Sequence, residues 1–197
     1  MTRRVLVTGF GSFGSVEHNP TTEVVDSCGP LREAGLDVVA EVLPVEFDAG
    51  ARRIRELVGS LRPDLAICFG VAEGRDAVTP ERIAINVADA RIPDNTGFQP
   101  VDSPLEPDGP AARFSTLPLW GMVRALTDAG VRAEVSNTAG TYVCNAVFFS
   151  LMGALEVTGG RGGFVHVPPD ADMAALVPLL VHASETFGHE TEPFSGS

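Results

Sequence analysis

Cysteine is scarce in this chain of 197 residues: there are three, Cys28, Cys68 and Cys144, at no paired spacing. That argues against a disulfide framework and a cysteine-held zinc site, and it fits a reducing compartment. Positive charge is scarce as well. Fourteen basic residues stand against 26 acidic ones, giving a net charge of -12 and a pI near 4.6. Nucleic acid is a poor partner for such a chain, because phosphate backbones are held by clustered Lys and Arg. Arg52, Arg53 and Arg55 lie close together but read as the solvated face of a helix. No apolar run reaches the length of a membrane span, and Met1-Thr2-Arg3-Arg4 leads straight into Val5-Leu6-Val7 without a signal peptide's apolar region. A cytoplasmic protein that does not contact membrane is the expectation.

What the chain has is apolar residues, 44% of the total, enough for one sizeable core. A single domain over residues 1–197 is expected, with no internal repeat. Short apolar strands alternate with amphipathic helices, which points to an α/β fold with helices on both faces of a largely parallel sheet. Strands are expected at Arg4 to Gly9, Asp37 to Leu43, Asp64 to Gly70, Arg82 to Val87, Arg132 to Ser136 and Gly163 to Val167. Helices are expected at Asn19 to Cys28, capped by Asn19 with Pro20 at its start, and at Asp48 to Leu61, stopped by Arg62-Pro63. Three more are expected at Leu117 to Ala129, Val143 to Glu156 and Asp172 to Phe187. Between about 89 and 113, Pro93, Gly97, Pro100, Pro104, Pro107, Gly109 and Pro110 forbid regular structure, and ordered loops of that length are usually functional. Its carboxylates match no calcium-loop spacing. The tail from His189 to Ser197 is expected to fray.

Gly9-Phe10-Gly11-Ser12-Phe13-Gly14 follows the first strand and matches the glycine pattern of a dinucleotide site. That site must run directly into a helix N-terminus facing the pyrophosphate, whereas Ser15-Val16-Glu17-His18 intervene before Asn19-Pro20. Phe10 and Phe13 would also crowd backbone that a phosphate must approach. They suit gripping a flat apolar group or filling core. An NAD(P)-dependent oxidoreductase using Gly9, Gly11 and Gly14 is thus the alternative reading.

Cys144 has a nucleophile's setting. It follows the expected strand Arg132 to Ser136 and a glycine-containing loop, and it falls in the first turn of a helix, where free N–H groups and the helix dipole favour thiolate. Cys28 and Cys68 read instead as small buried hydrophobes. A thiolate mechanism needs a base held by a third polar group. Of four histidines, His18, His182 and His189 have surface or packing contexts, while His166 in Phe164-Val165-His166-Val167-Pro168 ends a strand, the edge where α/β sheets place catalysts. Glu81, in Pro80-Glu81-Arg82-Ile83-Ala84-Ile85-Asn86, is a candidate orienting carboxylate. Its bland reading is a surface acid paired with Arg82; if buried, it needs a donor such as an imidazole.

Those segments, with Asp89-Ala90-Arg91-Ile92-Pro93-Asp94-Asn95, Gln99-Pro100 and Ser136-Asn137-Thr138-Ala139-Gly140-Thr141-Tyr142-Val143-Cys144-Asn145, resemble the pyroglutamyl peptidase I (pyrrolidone-carboxylate peptidase) family over nearly the whole chain. The resemblance implies a three-layer α/β/α sandwich of the phosphorylase/hydrolase-like kind, with a twisted, largely parallel central sheet. It further implies a cytosolic homotetramer with no metal or other cofactor, acting on peptides with N-terminal pyroglutamate. The implied catalytic residues are Glu81, Cys144 and His166, with Arg91 supporting the oxyanion. The implied substrate contacts are Phe10 and Phe13 flanking the lactam, Ile92, Tyr142 and Val143 in the walls, and backbone near Val71. The chain departs from the family pattern at Ser12, Ser15, Val71 and Pro169 to Asp172. A pyroglutamyl-binding protein with weakened turnover is a further alternative.

Overall fold

The computed structural model describes residues 3–14 and 18–185. The chain runs through β1 (Arg4–Phe10), a 3₁₀ helix (Pro20–Cys28), α1 (Gly29–Glu33), β2 (Asp37–Leu43), α2 (Phe47–Leu61), β3 (Leu65–Val71), β4 (Thr79–Pro80), β5 (Ile83–Ile85) and β6 (Ala112–Phe114). It continues through α3 (Leu119–Asp128), α4 (Val143–Thr158), β7 (Arg161–Val167), a 3₁₀ turn (Met173–Leu176) and α5 (Val177–Glu185). The central sheet has the order β2-β1-β3-β7-β4, parallel except for β4 at its edge. This is the expected α/β architecture. No helix among the described residues is long and apolar enough to cross a membrane.

Strand alternation divides the core between the two faces. Leu6, Cys68 and Phe164 pack toward α2 and α4, while Val7, Ile67, Phe69 and Val165 pack toward α3, α5 and the first 3₁₀ helix. Burial on both sides is why these strands read as continuous apolar runs. Arg62, in the left-handed region at φ 47°, closes α2, and Gly159 closes α4 at φ 80°.

Prolines and side-chain hydrogen bonds account for the elements that differ from expectation. Arg132 to Ser136 lies alongside residues 78–82, with Val78 N–H donating to Arg132, Glu134 to Val78, Ser136 to Pro80 and Arg82 to Ser136. Pro80 has no N–H for the rung between them, so two isolated bridges stand where the strand Arg132 to Ser136 was expected. The expected strand Arg82 to Val87 shrinks to β5 and leaves the main sheet to pair with β6 alone. The Asn145 amide occupies its other edge, accepting from Ile85 N–H at 2.9 Å and donating to the carbonyls of Ile85 and Val87.

The helix expected from Asn19 is wound as 3₁₀ before α1. Asn19 Oδ1 caps it by accepting from Thr21 N–H at 3.1 Å. In the last helix, Pro178 cannot donate to the preceding turn, which is 3₁₀, so the α-helix begins only at Val177. Its expected end at Phe187, His189 and the tail lie outside the described residues, as does Ser15.

The proline-rich stretch is irregular up to β6, yet it is pinned throughout. Asp94, 6% exposed, accepts from Thr96 N–H, Thr96 Oγ1 and Phe98 N–H through Oδ1 and from Phe47 N–H through Oδ2 at 3.0 Å. It thereby caps α2 from a distance, since Glu46 at the N-cap position makes no side-chain bond. Burial pushes the Asp94 carboxyl up, but the Thr96 hydroxyl and the three backbone donors outweigh it and hold the group below its ordinary value. Asp94→Ala is expected to cost about 2 kcal/mol in urea denaturation at neutral pH. A depressed folded value means this contribution is complete above the unfolded value of about 3.9 and disappears as pH falls through the folded one. The gap between wild type and variant should therefore narrow at pH 3; a gap independent of pH would refute the charge-based cap.

Candidate active site

The first turn of α4 carries Cys144 as its second residue, with Tyr142 at the N-cap position and no side chain capping the free N–H groups. Asn145 locks this turn against β5 through the three bonds described above. Beneath it, Gly70 pairs with His166 across β3 and β7. A Cβ on Gly70 would stand 2.9 Å from Cys144 Sγ and 2.8 Å from Phe164 Cζ. The missing side chain makes the slot that seats the thiol over the strand position beside His166.

Thr79 on β4 pairs with His166, and Glu81 N–H donates to Phe164 at 2.8 Å, so the short antiparallel strand delivers Glu81 to the imidazole. His166 Nδ1 lies 2.7 Å from Glu81 Oε1. An ionised carboxylate only accepts, so Nδ1 bears the hydrogen and Nε2 the lone pair. Glu81 is fully buried and His166 is 4% exposed. The carboxylate also meets a residue that the sequence reading missed. Arg75 Nη1 donates to Glu81 Oε1 at 2.6 Å and to Thr79 Oγ1 at 2.5 Å, and Nη2 donates to Thr138 O at 3.0 Å. Arg82, the partner in the surface-acid alternative, turns instead to Asn137 Oδ1.

Electrostatics corrects one expectation. Burial, the nearby Glu81 charge and Cys68 push the Cys144 thiol up to about 12, against weaker opposing pulls from its own backbone N–H and from Arg75. A helix N-terminus contributes about 0.3–1 kcal/mol, under one pH unit, and the desolvation of this half-buried thiol outweighs it. Burial and Arg75 lower His166 from its ordinary value, and Glu81 only partly opposes them. The resting pair is a neutral thiol beside a neutral imidazole. Cys28 and Cys68 are buried, and burial raises both thiols, as expected of inert packing residues.

Cys144 and His166 open onto a cavity of about 360 Å³. Phe10, Phe13, Val71, Ile92 and Tyr142 line it, and so does the exposed Arg91. Tyr142 Oη donates to Pro93 O at 3.0 Å and Thr141 Oγ1 to Asp89 O at 2.7 Å, which ties the segment carrying Arg91 and Ile92 to the N-terminus of α4. Val143 departs from expectation: its side chain is fully buried in the α2–α4 core and does not line the cavity. Pro169 to Asp172 also lie off the cavity, with Asp172 capping the following 3₁₀ turn.

The glycine turn has a packing explanation. A Cβ on Gly9 would overlap the Thr21 carbonyl, so Gly9 admits the 3₁₀ helix to the sheet. Asn19 Nδ2 donates to Gly11 O, taking up backbone at the turn. Among the described residues no three His, Cys, Asp or Glu side chains are grouped to hold a metal ion.

Comparison with known proteins agrees with this geometry. The family model for pyroglutamyl peptidase matches residues 3–178. The pyrrolidone-carboxylate peptidase of Streptomyces coelicolor is 48% identical over 186 residues, covering 90% of this chain and 86% of that protein. That of Pseudomonas fluorescens is 47% identical, covering 84% of this chain and 78% of its own length. The crystal structure of pyroglutamyl peptidase I from Bacillus amyloliquefaciens matches with a TM-score of 0.89 at 36% identity, covering 100% of each chain. Pyrrolidone carboxyl peptidase from Thermococcus litoralis matches at a TM-score of 0.84 with 30% identity over 94% of each chain. By sequence along most of its length and by fold, the chain belongs to the pyroglutamyl peptidase family.

Proposed function

We propose that this protein hydrolyses the amide bond after an N-terminal pyroglutamyl residue, with Cys144 as nucleophile, His166 as base and acid, and Glu81 as the carboxylate orienting the imidazole. The observation that carries this is the meeting of Cys144 and His166 at an apolar cavity with Glu81 fixed on His166 Nδ1. A pyroglutamyl group is a flat, neutral lactam without a free α-amine, so aromatic and aliphatic walls must replace the ammonium recognition of ordinary aminopeptidases. Phe10, Phe13, Ile92 and Tyr142 supply those walls, and backbone near Val71 supplies polar contacts to the ring.

As Sγ attacks the pyroglutamyl carbonyl carbon, its proton passes to His166 Nε2. The oxyanion is stabilised by the Cys144 N–H, free at the start of α4, and by Arg91 from the cavity lining. Collapse breaks the C–N bond, and the departing amine takes the Nε2 proton. Water then gives a proton to Nε2 and attacks the thioester, releasing pyroglutamate, and the thiolate recovers its proton. Glu81 accepts from Nδ1 throughout and stabilises the transient imidazolium.

The test is release of a fluorescent amine under reducing conditions from pyroglutamyl, prolyl and alanyl amides. The pyroglutamyl amide should be preferred by at least about a hundredfold in kcat/KM, because an analogue leaves the site's polar groups unpaired. Comparable rates on the alanyl amide would point to an ordinary aminopeptidase. Tight pyroglutamate binding without release by the folded, reduced protein would favour the binding-protein alternative.

A further inference from the structure

Glu81 presents an asymmetric carboxylate. Both of its partners, His166 Nδ1 and Arg75 Nη1, converge on Oε1, at 2.7 and 2.6 Å. Oε2 is buried with no hydrogen-bond partner among the described residues. Imidazole alone therefore leaves the carboxylate free to turn about its own axis and exchange oxygens. Arg75 is not free to follow such a turn. Its other contacts, Thr79 Oγ1 on β4 and Thr138 O on the loop leading to Cys144, hold the guanidinium in one plane.

We propose that Arg75 is a positioning residue for the reaction: it holds Glu81 Oε1 against His166 and ties β4, which carries the base side, to the 137–141 loop, which carries the nucleophile side. This rests on the roles of Cys144, His166 and Glu81 given above. Arg75 touches no reacting atom and does not line the cavity. A guanidinium is needed because three acceptors on two segments are met by two nitrogens in a rigid fork, a span that the single ammonium of lysine cannot reproduce.

The charge of Arg75 gives a readout that a mere structural clip lacks. Glu81 and Arg75 are the charged groups acting on His166, one raising and one lowering it. Cys144 on α4 lines the same cavity as His166, as do Glu73, Asp89 and Arg91. Removing Arg75 leaves the others in place and removes a positive neighbour, so protonated imidazole becomes easier to form.

The experiment is an NMR titration of the His166 imidazole in resting Arg75→Gln and Arg75→Lys proteins, with kcat and KM on a pyroglutamyl amide and melting temperatures alongside. In Arg75→Gln the His166 midpoint should rise by about one pH unit, and kcat should fall about 10- to 100-fold with KM within about threefold. Arg75→Lys keeps the charge and loses the fork, so its midpoint should stay close to wild type while kcat still falls several-fold. An unmoved midpoint in Arg75→Gln, or full kcat in either variant, overturns the proposal. If Arg75→Gln does not fold, the split between midpoint and kcat in Arg75→Lys carries the same decision. The titration needs no turnover, so an inactive wild type would strike the peptidase reading while a shifted midpoint still reports Arg75 acting on His166.

Discussion

Substitution of Cys144 by alanine is expected to lower kcat on a pyroglutamyl amide by about four orders of magnitude or more, because no other group can form the thioester. The fold should persist. Alanine keeps the backbone of the first turn of α4 and the Asn145 contacts beneath it, and the lost sulfur costs about 1 kcal/mol. A thiol pushed up to about 12 has a thiolate population far below one per cent at neutral pH. The wild type should therefore be alkylated by iodoacetamide more slowly than an exposed cysteine at pH 7, with a rate that climbs steadily into the alkaline range. Substrate, in this account, brings the proton transfer with it. Activity within tenfold of wild type in the alanine variant would remove Cys144 from the chemistry. An alkylation rate already level below pH 7 would show instead a preformed thiolate–imidazolium pair, with the helix N-terminus outweighing burial.

The parts of this site that were legible in the sequence were those that local pattern places. Cys144 follows a loop and opens a helix, and His166 ends a strand buried on both faces; each position follows from periodicity and sheet topology. Arg75 had no such signal. It sits in Ala72-Glu73-Gly74-Arg75-Asp76, a run that reads as a surface turn, and enters the site only because the chain reverses after β3 and returns as β4. The one available hint was energetic: a wholly buried carboxylate beside a neutral imidazole still lacks a cation. The neighbouring Arg82, partner of Glu81 in the surface-acid alternative, pairs with Asn137 instead, because successive residues in extended chain point to opposite sides.

The same distinction explains the fold. Strands β1, β2, β3 and β7 are set by their own apolar content and fall close to where the pattern predicts. The expected strand Arg132 to Ser136 depends on what pairs with it, and the absent N–H of Pro80 interrupts its ladder. Val143 illustrates the converse problem: the family resemblance implied a pocket wall, but on a helix the residue next to Cys144 points about 100° away, into α2.

Glu81→Gln is expected to lower kcat by about 10²- to 10³-fold while leaving KM nearly unchanged, since Glu81 does not line the cavity. The reason lies in which atoms can face which. Arg75 offers only donors, so the carbonyl oxygen of the new amide must turn to it. That oxygen takes the place of Oε1 and still accepts from His166 Nδ1, so the amide NH₂ falls at the buried Oε2 position without a partner and the transient imidazolium loses the negative charge that stabilises it. Stability should fall by about 2–3 kcal/mol in urea denaturation, because Arg75 loses its ionic partner but keeps Thr79 and Thr138. The pH dependence separates this change from loss of Arg75. His166 acts when neutral and is already held below its ordinary value of about 6.5, so wild-type kcat/KM should decline only on acidification. Glu81 is the group that opposes this lowering. Without it, the residual activity of Glu81→Gln should decline at still lower pH, whereas that of Arg75→Gln should decline at higher pH. Shifts in the same direction for the two variants would mean that they act through a common distortion of the fold. Opposite shifts would identify the carboxylate and the guanidinium as opposed charges acting on one imidazole.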